Sequence, residues 1–383
     1  MKIKVLELFG GIGACSKALE RLGIDYEIAD YVEIDKYAVK SFNAIHNTNF
    51  EPQDICNWDK DIEVDLIMHG SPCQDFSLAG KQAGGDEGSG TRSSLMYETI
   101  RIVEKLKPKY VIWENVKNLL SKKHIHNFNA YLEKMDELGY TNYYQVLNAK
   151  DYGIPQNRER VFTVSILGNK KYEFPLKKEL KVTMHDLLEE KVEDKYYLSE
   201  NMTNYVTEKN EKSNFKVFRP HYAGKEKIAH TIQTSGGNRA DDNFIVFQFP
   251  PKQELKLKLK DMLEDEVDEK YYISDRYLEF SNFYTIPRGS DGKLINGSYN
   301  RVWKEEKYCG AINITKIQEV GKNKVDSIRI RKLTPKEAWR LMGFDDSDFE
   351  KAAKVNSNAQ LYKQAGNSIV VNVLEAILTN LLK

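Results

Sequence analysis

Three short segments carry residue types suited to covalent and acid–base chemistry. Gly70-Ser71-Pro72-Cys73-Gln74 sets a cysteine behind a proline in a polar turn. An isolated cysteine is commonly a small buried hydrophobe, but one in such a turn, with a Gly/Ser/Asp-rich loop at 80–90 downstream, suits a reactive thiolate. Glu114-Asn115-Val116 supplies a carboxyl group. Gln156-Asn157-Arg158-Glu159-Arg160 supplies two guanidinium groups two residues apart, which an extended backbone places on one face. Singly, Glu114 reads as a helix cap and the arginines as surface charge. Together they form a nucleophile, a carboxyl group and an arginine pair.

A second set of residues suits a nucleotide. Phe9-Gly10-Gly11-Ile12-Gly13 would let the backbone turn tightly and approach a ligand, although Ser16 stands where the dinucleotide fingerprint requires its third glycine. Glu33 follows Gly13 by twenty residues, the place from which a carboxylate accepts ribose hydroxyls, and Asp54-Ile55 could meet an adenine amino group. These features indicate an adenosine cofactor without separating NAD from S-adenosylmethionine. The competing reading is a glycine turn with no ligand.

The elements that must position these groups alternate strand and helix over the first ~165 residues, as in an α/β domain with a mostly parallel sheet. Strands are expected at 2–8, 26–32, 64–68, 110–113, 143–147 and 160–166, and helices at 14–22, 36–47, 95–106 and 128–138. Asp54 is expected to follow a strand. The glycine loop, Glu33, the Cys73 turn and Glu114 then fall at the carboxyl ends of strands, where ligands bind in doubly wound sheets, and Gln156–Arg160 leads into the strand at 160–166. From 169 to about 328 the alternation fades, and a second, irregular domain is expected. It contains a repeat: 186–199 resembles 261–274, with Leu187, Leu188, Val192, Tyr196 and Tyr197 matched by Met262, Leu263, Val267, Tyr271 and Tyr272. Both copies are expected to form scaffolding helices. Thr334-Pro335-x-Glu337 signals a helix start, and the apolar periodicity of 368–381 predicts a helix that returns to the first domain and makes it discontinuous.

Across its 383 residues the chain carries 57 basic and 57 acidic side chains, so net charge gives no hint of partner. The charge is unevenly spread, and the stretch 316–340 is expected to form part of a basic face. Cys15, Cys56, Cys73 and Cys309 form no C-x-x-C pair, which argues against a zinc ribbon and a disulfide framework, and no metal is expected. No apolar run of membrane-spanning length and no signal-peptide core are evident, so the expectation is a cytoplasmic protein that does not engage a membrane.

At these residues the sequence resembles the cytosine-C5 DNA methyltransferase family of bacterial or phage restriction–modification type. The resemblance rests on Leu8-Phe9-Gly10-Gly11-Ile12-Gly13, Glu33, Asp54, Ser71-Pro72-Cys73-Gln74, Glu114-Asn115-Val116 and Gln156-x-Arg158-x-Arg160. It continues in Arg331-x-Leu333-Thr334-Pro335-x-Glu337-x-x-Arg340-Leu341-Met342-Gly343-Phe344 and Gln364-x-Gly366-Asn367-Ser368, all in family order. It implies a Rossmann-like S-adenosylmethionine-dependent domain at 1–168 plus 329–383, and a target-recognition domain at 169–328. Glu7 replaces a more usual Asp, and Ala14 a Gly.

The resemblance also implies residue roles. The Cys73 thiolate attacks C6 of a flipped-out cytosine, Glu114 engages the N3/N4 edge, Asn115 orients it, and Arg158 and Arg160 hold the base O2 and the thiol environment. Phe9 stacks on the cofactor's adenine, Gly11 and Gly13 admit its methionine portion, Glu33 binds the ribose and Asp54 the adenine amino group. Ile12, Ile34, Ile55, Asn367 and Ser368 complete that site. Gln74, Ser77 and Thr231 face DNA, while Tyr222, Asn238 and Arg239 are candidates for reading bases. The expected partner is double-stranded DNA, with a cognate restriction endonuclease as a possible second, acting on a monomer. Alternatives are a family member that methylates tRNA and a non-catalytic DNA-binding protein of the same fold.

Overall fold

The computed structural model describes residues 2–72, 95–199, 201–203, 220–222, 227–237, 239, 242–248, 312–313, 316–317 and 328–382. Six strands form the central sheet: β1 (Ile3–Leu8), β2 (Tyr26–Val32), β3 (Leu66–His69), β4 (Tyr110–Val116), β5 (Tyr140–Asn148) and β7 (Glu159–Leu167), in the order β2-β1-β3-β4-β7-β5. The pairs β1–β2, β1–β3 and β3–β4 are parallel, whereas β7 runs antiparallel to both β4 and β5. The short strand β6 (Gln156–Asn157) precedes β7. The expected strands are all present, and the sheet is mixed where a mostly parallel one was anticipated.

The residues dictate this layering. The inner strands are apolar on both faces, as strands sandwiched between helices must be. Val5, Leu66, Met68, Ile112 and Val164 join one hydrophobic cluster, while their neighbours Leu6, Ile67, Val111 and Trp113 join another on the opposite face. The first face is covered by α1 (Ala14–Arg21) and by α5 (Pro335–Arg340) and α8 (Val371–Leu382) from the far end of the chain. The second is covered by α3 (Met96–Leu106) and α4 (Ile125–Glu137). Helix α2 (Lys36–His46) packs Val39 and Phe42 on Tyr31 of β2.

As anticipated, α5 opens with a capping box in which Thr334 and Glu337 satisfy each other's backbone N–H groups, with Pro335 at its first position. Helix α8 returns to the amino-terminal half, where Arg21 of α1 pairs with Glu375 at 2.9 Å. Together α7 (Asn358–Asn367) and α8 give a 25-residue stretch long and apolar enough to span a membrane. It is no unbroken apolar run, since Lys363, Asn367, Ser368, Asn372 and Glu375 fall within it. Here α8 is a core helix, burying Leu374, Ile377, Leu378 and Leu381 completely.

Two compact units result: residues 1–247 with 329–383, and residues 248–328. Residues 169–247, read from sequence as part of the recognition domain, cluster with the catalytic unit, where Tyr172, Met184, Tyr196, Ala229, Ile232 and Ile245 join the core. A small three-stranded sheet lies in this part, formed by β8 (His221–Tyr222), β10 (Phe244–Gln248) and β13 (Ile328–Lys332), and β9 (Ala229–His230) pairs with β6. Within the second unit the described residues form one antiparallel pair, β11 (Ile312–Asn313) and β12 (Lys316–Ile317).

Two expectations need correction. The first repeat copy is no helix. It makes two 3-10 turns, Met184–Leu187 and Asp194–Tyr196, joined by extended chain. Its polar groups bond to α5 and its approach instead: Glu189 N donates to Glu337 at 2.8 Å, and Arg340 donates to the Leu187 carbonyl at 3.0 Å. The second copy lies outside the described residues.

Within the basic stretch 316–340, the side chains of Arg329, Arg331, Lys336 and Arg340 are not free cations. Arg331 is buried in a bidentate pair with Glu337, both bonds at 2.8 Å. Arg340 pairs with Asp346, Lys336 with Asp346 and Glu350, and Arg329 with Asp194. Those charges are spent inside the fold.

Candidate active site

The chain leaves β1 toward β2 on one side and reaches β3 on the other, so a crevice opens between the loops that follow β1 and β3. That is a topological switch point, where open α/β sheets bind ligands. A recess of about 420 Å³, counted to its open mouth, occupies it and is lined by Glu7, Phe9, Gly10, Gly11, Met68, Gly70, Glu114, Asn367 and Ser368, among others. Residues as far apart in sequence as Glu7 and Ser368 meet there because the carboxyl-terminal helices lie on the same sheet face as α1.

The floor is the glycine loop. Phe9 adopts φ 53°, a left-handed conformation costly for a bulky side chain and commonly found where function demands it. A Cβ on Gly10 would lie 2.6 Å from the Tyr31 ring, so only glycine lets the loop settle on β2. Tyr31 clamps the loop from below by donating its hydroxyl to the Gly11 carbonyl at 2.6 Å. Gly13 caps α1, and Ile12 turns into the core.

Glu33, at the end of β2, accepts from Gly11 N at 3.1 Å and Asp35 N at 2.8 Å. Two N–H groups leave a carboxylate further lone pairs, so Glu33 is oriented and still able to accept. Burial raises its pKa, against those hydrogen bonds. Ile34 beside it is 67% exposed, an apolar surface open to a flat ring. Asp54 does not follow a strand; it caps a 3-10 turn over Ile55–Asn57 by accepting from Cys56 N at 3.0 Å. Ile55 buries its side chain, and its carbonyl accepts from Arg101 at 3.1 Å and from Trp58 N at 3.2 Å.

Glu7 was noted only as a departure from the family pattern, yet it is central to this floor. It is buried, accepts from Ser16 N at 3.0 Å and from the Ser16 hydroxyl, and so caps α1 from a neighbouring strand. All its hydrogen-bond partners are neutral, and burial pushes its pKa up to about 7.

The opposite wall is the end of β4. Glu114 lies over Gly70 and its carboxylate meets Arg160 Nε at 3.1 Å. Burial raises the Glu114 pKa, while Arg160 and Arg158 oppose the rise. Asn115 holds the loop that leads to Cys73, donating to the Ser71 carbonyl at 3.3 Å, while Trp113 donates to the Ser71 hydroxyl at 3.0 Å. His69, unforeseen from sequence, lies flat on Trp113 with ring centroids 5.6 Å apart and reaches the Tyr131 hydroxyl at 3.2 Å. Burial lowers its pKa to about 3, so it is neutral and anchors the loop by shape. Cys73, Gln74, Ser77 and the 80–90 loop lie outside the described residues.

Arg158 turns away from Arg160. It is buried and donates to three carbonyls: Ile232 at 3.2 Å, Gly366 at 3.1 Å and Ser368 at 2.8 Å. Gln156 adds a second tie, accepting from Ile232 N at 3.0 Å and donating to the Leu341 carbonyl at 2.7 Å. Thr231 therefore sits beside this segment, its hydroxyl donating to the Asn157 carbonyl at 2.7 Å. Gly366 makes the arrangement possible, since a Cβ there would lie 2.5 Å from Thr234 N. Arg239 is exposed at a turn closed by Asp242; Tyr222 is described only in its backbone and Asn238 not at all.

The structure thus gathers Phe9, Gly11, Glu114, Asn367 and Ser368 around one recess, with Glu33 tied to its rim through Gly11. Asp54, Ile34 and Ile55 lie outside its lining, and Arg158 serves its back wall. Among the described residues no group of three or more His, Cys, Asp or Glu side chains is arranged to hold a metal.

A recess at the switch point of a Rossmann-like sheet, with acidic groups at successive strand ends, defines the α/β class of proteins that bind ligands at the carboxyl ends of their strands. Sequence comparison narrows the class. The profile of the C-5 cytosine-specific DNA methylase family matches residues 3–383, and the chain belongs to that family as a DNA (cytosine-5-)-methyltransferase. It is 31% identical to the type II methyltransferase M2.ScrFI of Lactococcus lactis subsp. cremoris, over 100% of this chain and 99% of that one. It is 32% identical to the orphan methyltransferase M.SPRI of Bacillus phage SPR, over 100% and 98%. In fold it resembles a DNMT2 mutant from Spodoptera frugiperda, with TM-score 0.63, 21% identity and 100% coverage of both chains. A prophage-encoded DNA modification methyltransferase from E. coli gives TM-score 0.52 at 19% identity, over 99% and 98%.

Proposed function

We propose that this methyltransferase takes its methyl group from S-adenosylmethionine and delivers it to C5 of a cytosine flipped out of duplex DNA, through a covalent bond between Cys73 and C6. The observation that carries the reading is Glu114: a buried carboxyl with a raised pKa, paired with Arg160, facing the same recess as the glycine loop, on the strand next to β3, whose end leads to Ser71-Pro72.

The recess fits the cofactor. Glu33 retains acceptor capacity for ribose hydroxyls, and Glu7 offers a buried carboxyl with neutral partners to a cationic group. Phe9 and Ile34 supply apolar contact for the adenine, Asp54 a hydrogen-bond acceptor, and Asn367 and Ser368 the facing wall. S-adenosylmethionine, when bound, supplies an electrophilic methyl group.

C5 of cytosine is a weak nucleophile. The Cys73 thiolate adds to C6, and the displaced electron pair makes C5 nucleophilic. Glu114, protonated at the start, hydrogen-bonds N3 and yields its proton there as negative charge builds, which a raised pKa favours. Arg160 orients that carboxyl and neutralises it once it ionises. After C5 has taken the methyl group, loss of the C5 proton pushes the electron pair back and expels Cys73. A stacked base cannot enter this geometry, so the target leaves the duplex at a cost of a few (~2–5) kcal/mol. Thr231 supports the strand beside it, and Gln74 and Ser77 face the DNA.

A duplex carrying 5-fluorocytosine tests the scheme, because fluorine cannot depart as a proton does. It should trap a covalent adduct that maps to Cys73 by mass spectrometry, and Cys73→Ser should abolish both adduct and methyl transfer. An adduct on another residue, or turnover by the serine variant, would overturn it.

A further inference from the structure

We propose that the turn after β4, carrying Lys122 and Lys123, is a phosphate-binding surface that grips the DNA backbone beside the target base. The inference rests on the DNA-methylation reading above and adds to it a surface outside the catalytic and cofactor groups.

Residues 117–126 read Lys-Asn-Leu-Leu-Ser-Lys-Lys-His-Ile-His, with three lysines, two histidines and no acid. They begin where β4 ends, two residues beyond the catalytic Glu114-Asn115 pair. The turn is rigid. Lys117–Leu120 forms a 3-10 helix, Ser121 N bonds to the Asn118 carbonyl at 3.0 Å, and His124 N and Ile125 N bond to the Ser121 carbonyl at 2.9 Å each. Leu119 and His124 are buried on either side of the lysine pair and pin it from below. Lys122 and Lys123 are exposed, and among the described residues neither has a carboxylate within ion-pair distance.

Two other basic groups near this edge are committed. Lys117 pairs with Glu159 at 3.1 Å and Arg160 with Glu114 at 3.1 Å. Arg331, Lys336 and Arg340 are likewise paired within the fold. Lys122 and Lys123 keep their charge for an external anion.

Location selects the anion. With a 3-10 turn in the path, Lys122 stands no more than about 22 Å from Glu114. A duplex presents one phosphate charge per ~1.7 Å of its axis, so several phosphates fall within that distance of a base docked at Glu114. Lys109 and Lys171 are also exposed, but they flank Tyr110 and Leu167, at the far edge of the sheet from Glu114.

That symmetry supplies the control. Binding of a fluorescent mixed-sequence 20-mer duplex would be followed by anisotropy between about 50 and 200 mM salt for wild type, Lys122→Ala/Lys123→Ala and Lys109→Ala/Lys171→Ala. Each lost phosphate contact lowers the slope of log K against log salt by about 0.9, so the first variant should show a slope shallower by about 1.8. Over that salt range wild type should then lose roughly tenfold more affinity than the variant. The far-edge control should keep the wild-type slope, and S-adenosylmethionine affinity should be the same in all three. A wild-type slope in Lys122→Ala/Lys123→Ala, or an equal loss in the control, would overturn the proposal while leaving DNA methylation intact. Wild type that fails to bind duplex at any salt would overturn both.

Discussion

Gly366→Ala is the sharpest test of how the back wall of the site is built. The added methyl would lie 2.5 Å from Thr234 N, 2.6 Å from the Gln233 carbonyl carbon and 2.8 Å from Thr234 Cα. All three are backbone atoms, so no rotamer change relieves them, and one chain must move by about 1 Å to restore ordinary contact. Overpacking of this kind costs about 1–3 kcal/mol, and a backbone-on-backbone clash belongs at the upper end. Opposing it, alanine is favoured over glycine in a helix by about 1 kcal/mol, and Gly366 lies in α7. The clash wins by roughly 2 kcal/mol, which at ~2–4 °C per kcal/mol lowers Tm by about 4–8 °C. The functional effect should be larger than the structural one. The displaced segment carries the Ile232 carbonyl that Arg158 holds and Thr231 beside it, and a shift of about 1 Å in a positioning element can cost about 100-fold in rate. Methyl transfer to duplex DNA by Gly366→Ala should therefore fall about 100-fold in kcat/KM, with cofactor affinity within threefold of wild type by calorimetry. An unchanged or higher Tm with wild-type kcat/KM would refute the reasoning.

Two further predictions concern the cofactor side. Glu33→Ala should weaken S-adenosylmethionine binding by roughly 10- to 150-fold, the ~1.5–3 kcal/mol expected for hydrogen bonds to a charged acceptor, and wild-type affinity in calorimetry would remove Glu33 from the site. Glu7 should make stability pH-dependent. Its folded pKa of about 7 lies above the 4.5 of the free side chain, so the folded state binds the extra proton and stability falls as pH rises from about 4.5 to 7. The group should contribute a loss on the order of 3 kcal/mol across that window and none above it. Glu7→Gln should flatten that part of the profile in urea denaturation at pH 5 and pH 8; parallel profiles for the two proteins would contradict it.

What sequence revealed and what it hid follow from the range of the forces involved. Buried strands such as Tyr110–Trp113 at the start of β4 are continuous apolar runs, and Thr334 with Glu337 forms a local cap, so both were legible from near neighbours. Glycines 10 and 13 were legible as a loop, but not their reason: Gly10 packs on Tyr31 and Gly13 on His46. Arg158 looked like a substrate contact because only its neighbours were visible. Its three acceptors lie 74 to 210 residues away. The segment 169–247 lacks periodicity because tertiary bonds to Glu337, Arg158 and Gln156 hold it, not helices or long strands of its own. Glu7 stood out only as a substitution, since its partner Ser16 looks from sequence like a failed fingerprint glycine.

The covering of one sheet face by α1 and α8 has a bearing on synthesis. Helix α1 leaves the ribosome early with Ala18 and Leu19 needing an apolar partner, and that partner, α8, is made more than 300 residues later. The six large apolar side chains that α8 buries are worth on the order of 10 kcal/mol, comparable with the entire net stability of a domain. A nascent chain or fragment ending before Val371 therefore has an unclosed core, and one ending before Asn367 lacks a wall of the recess as well. Closure of the core and of the recess therefore waits on the last helix to be made.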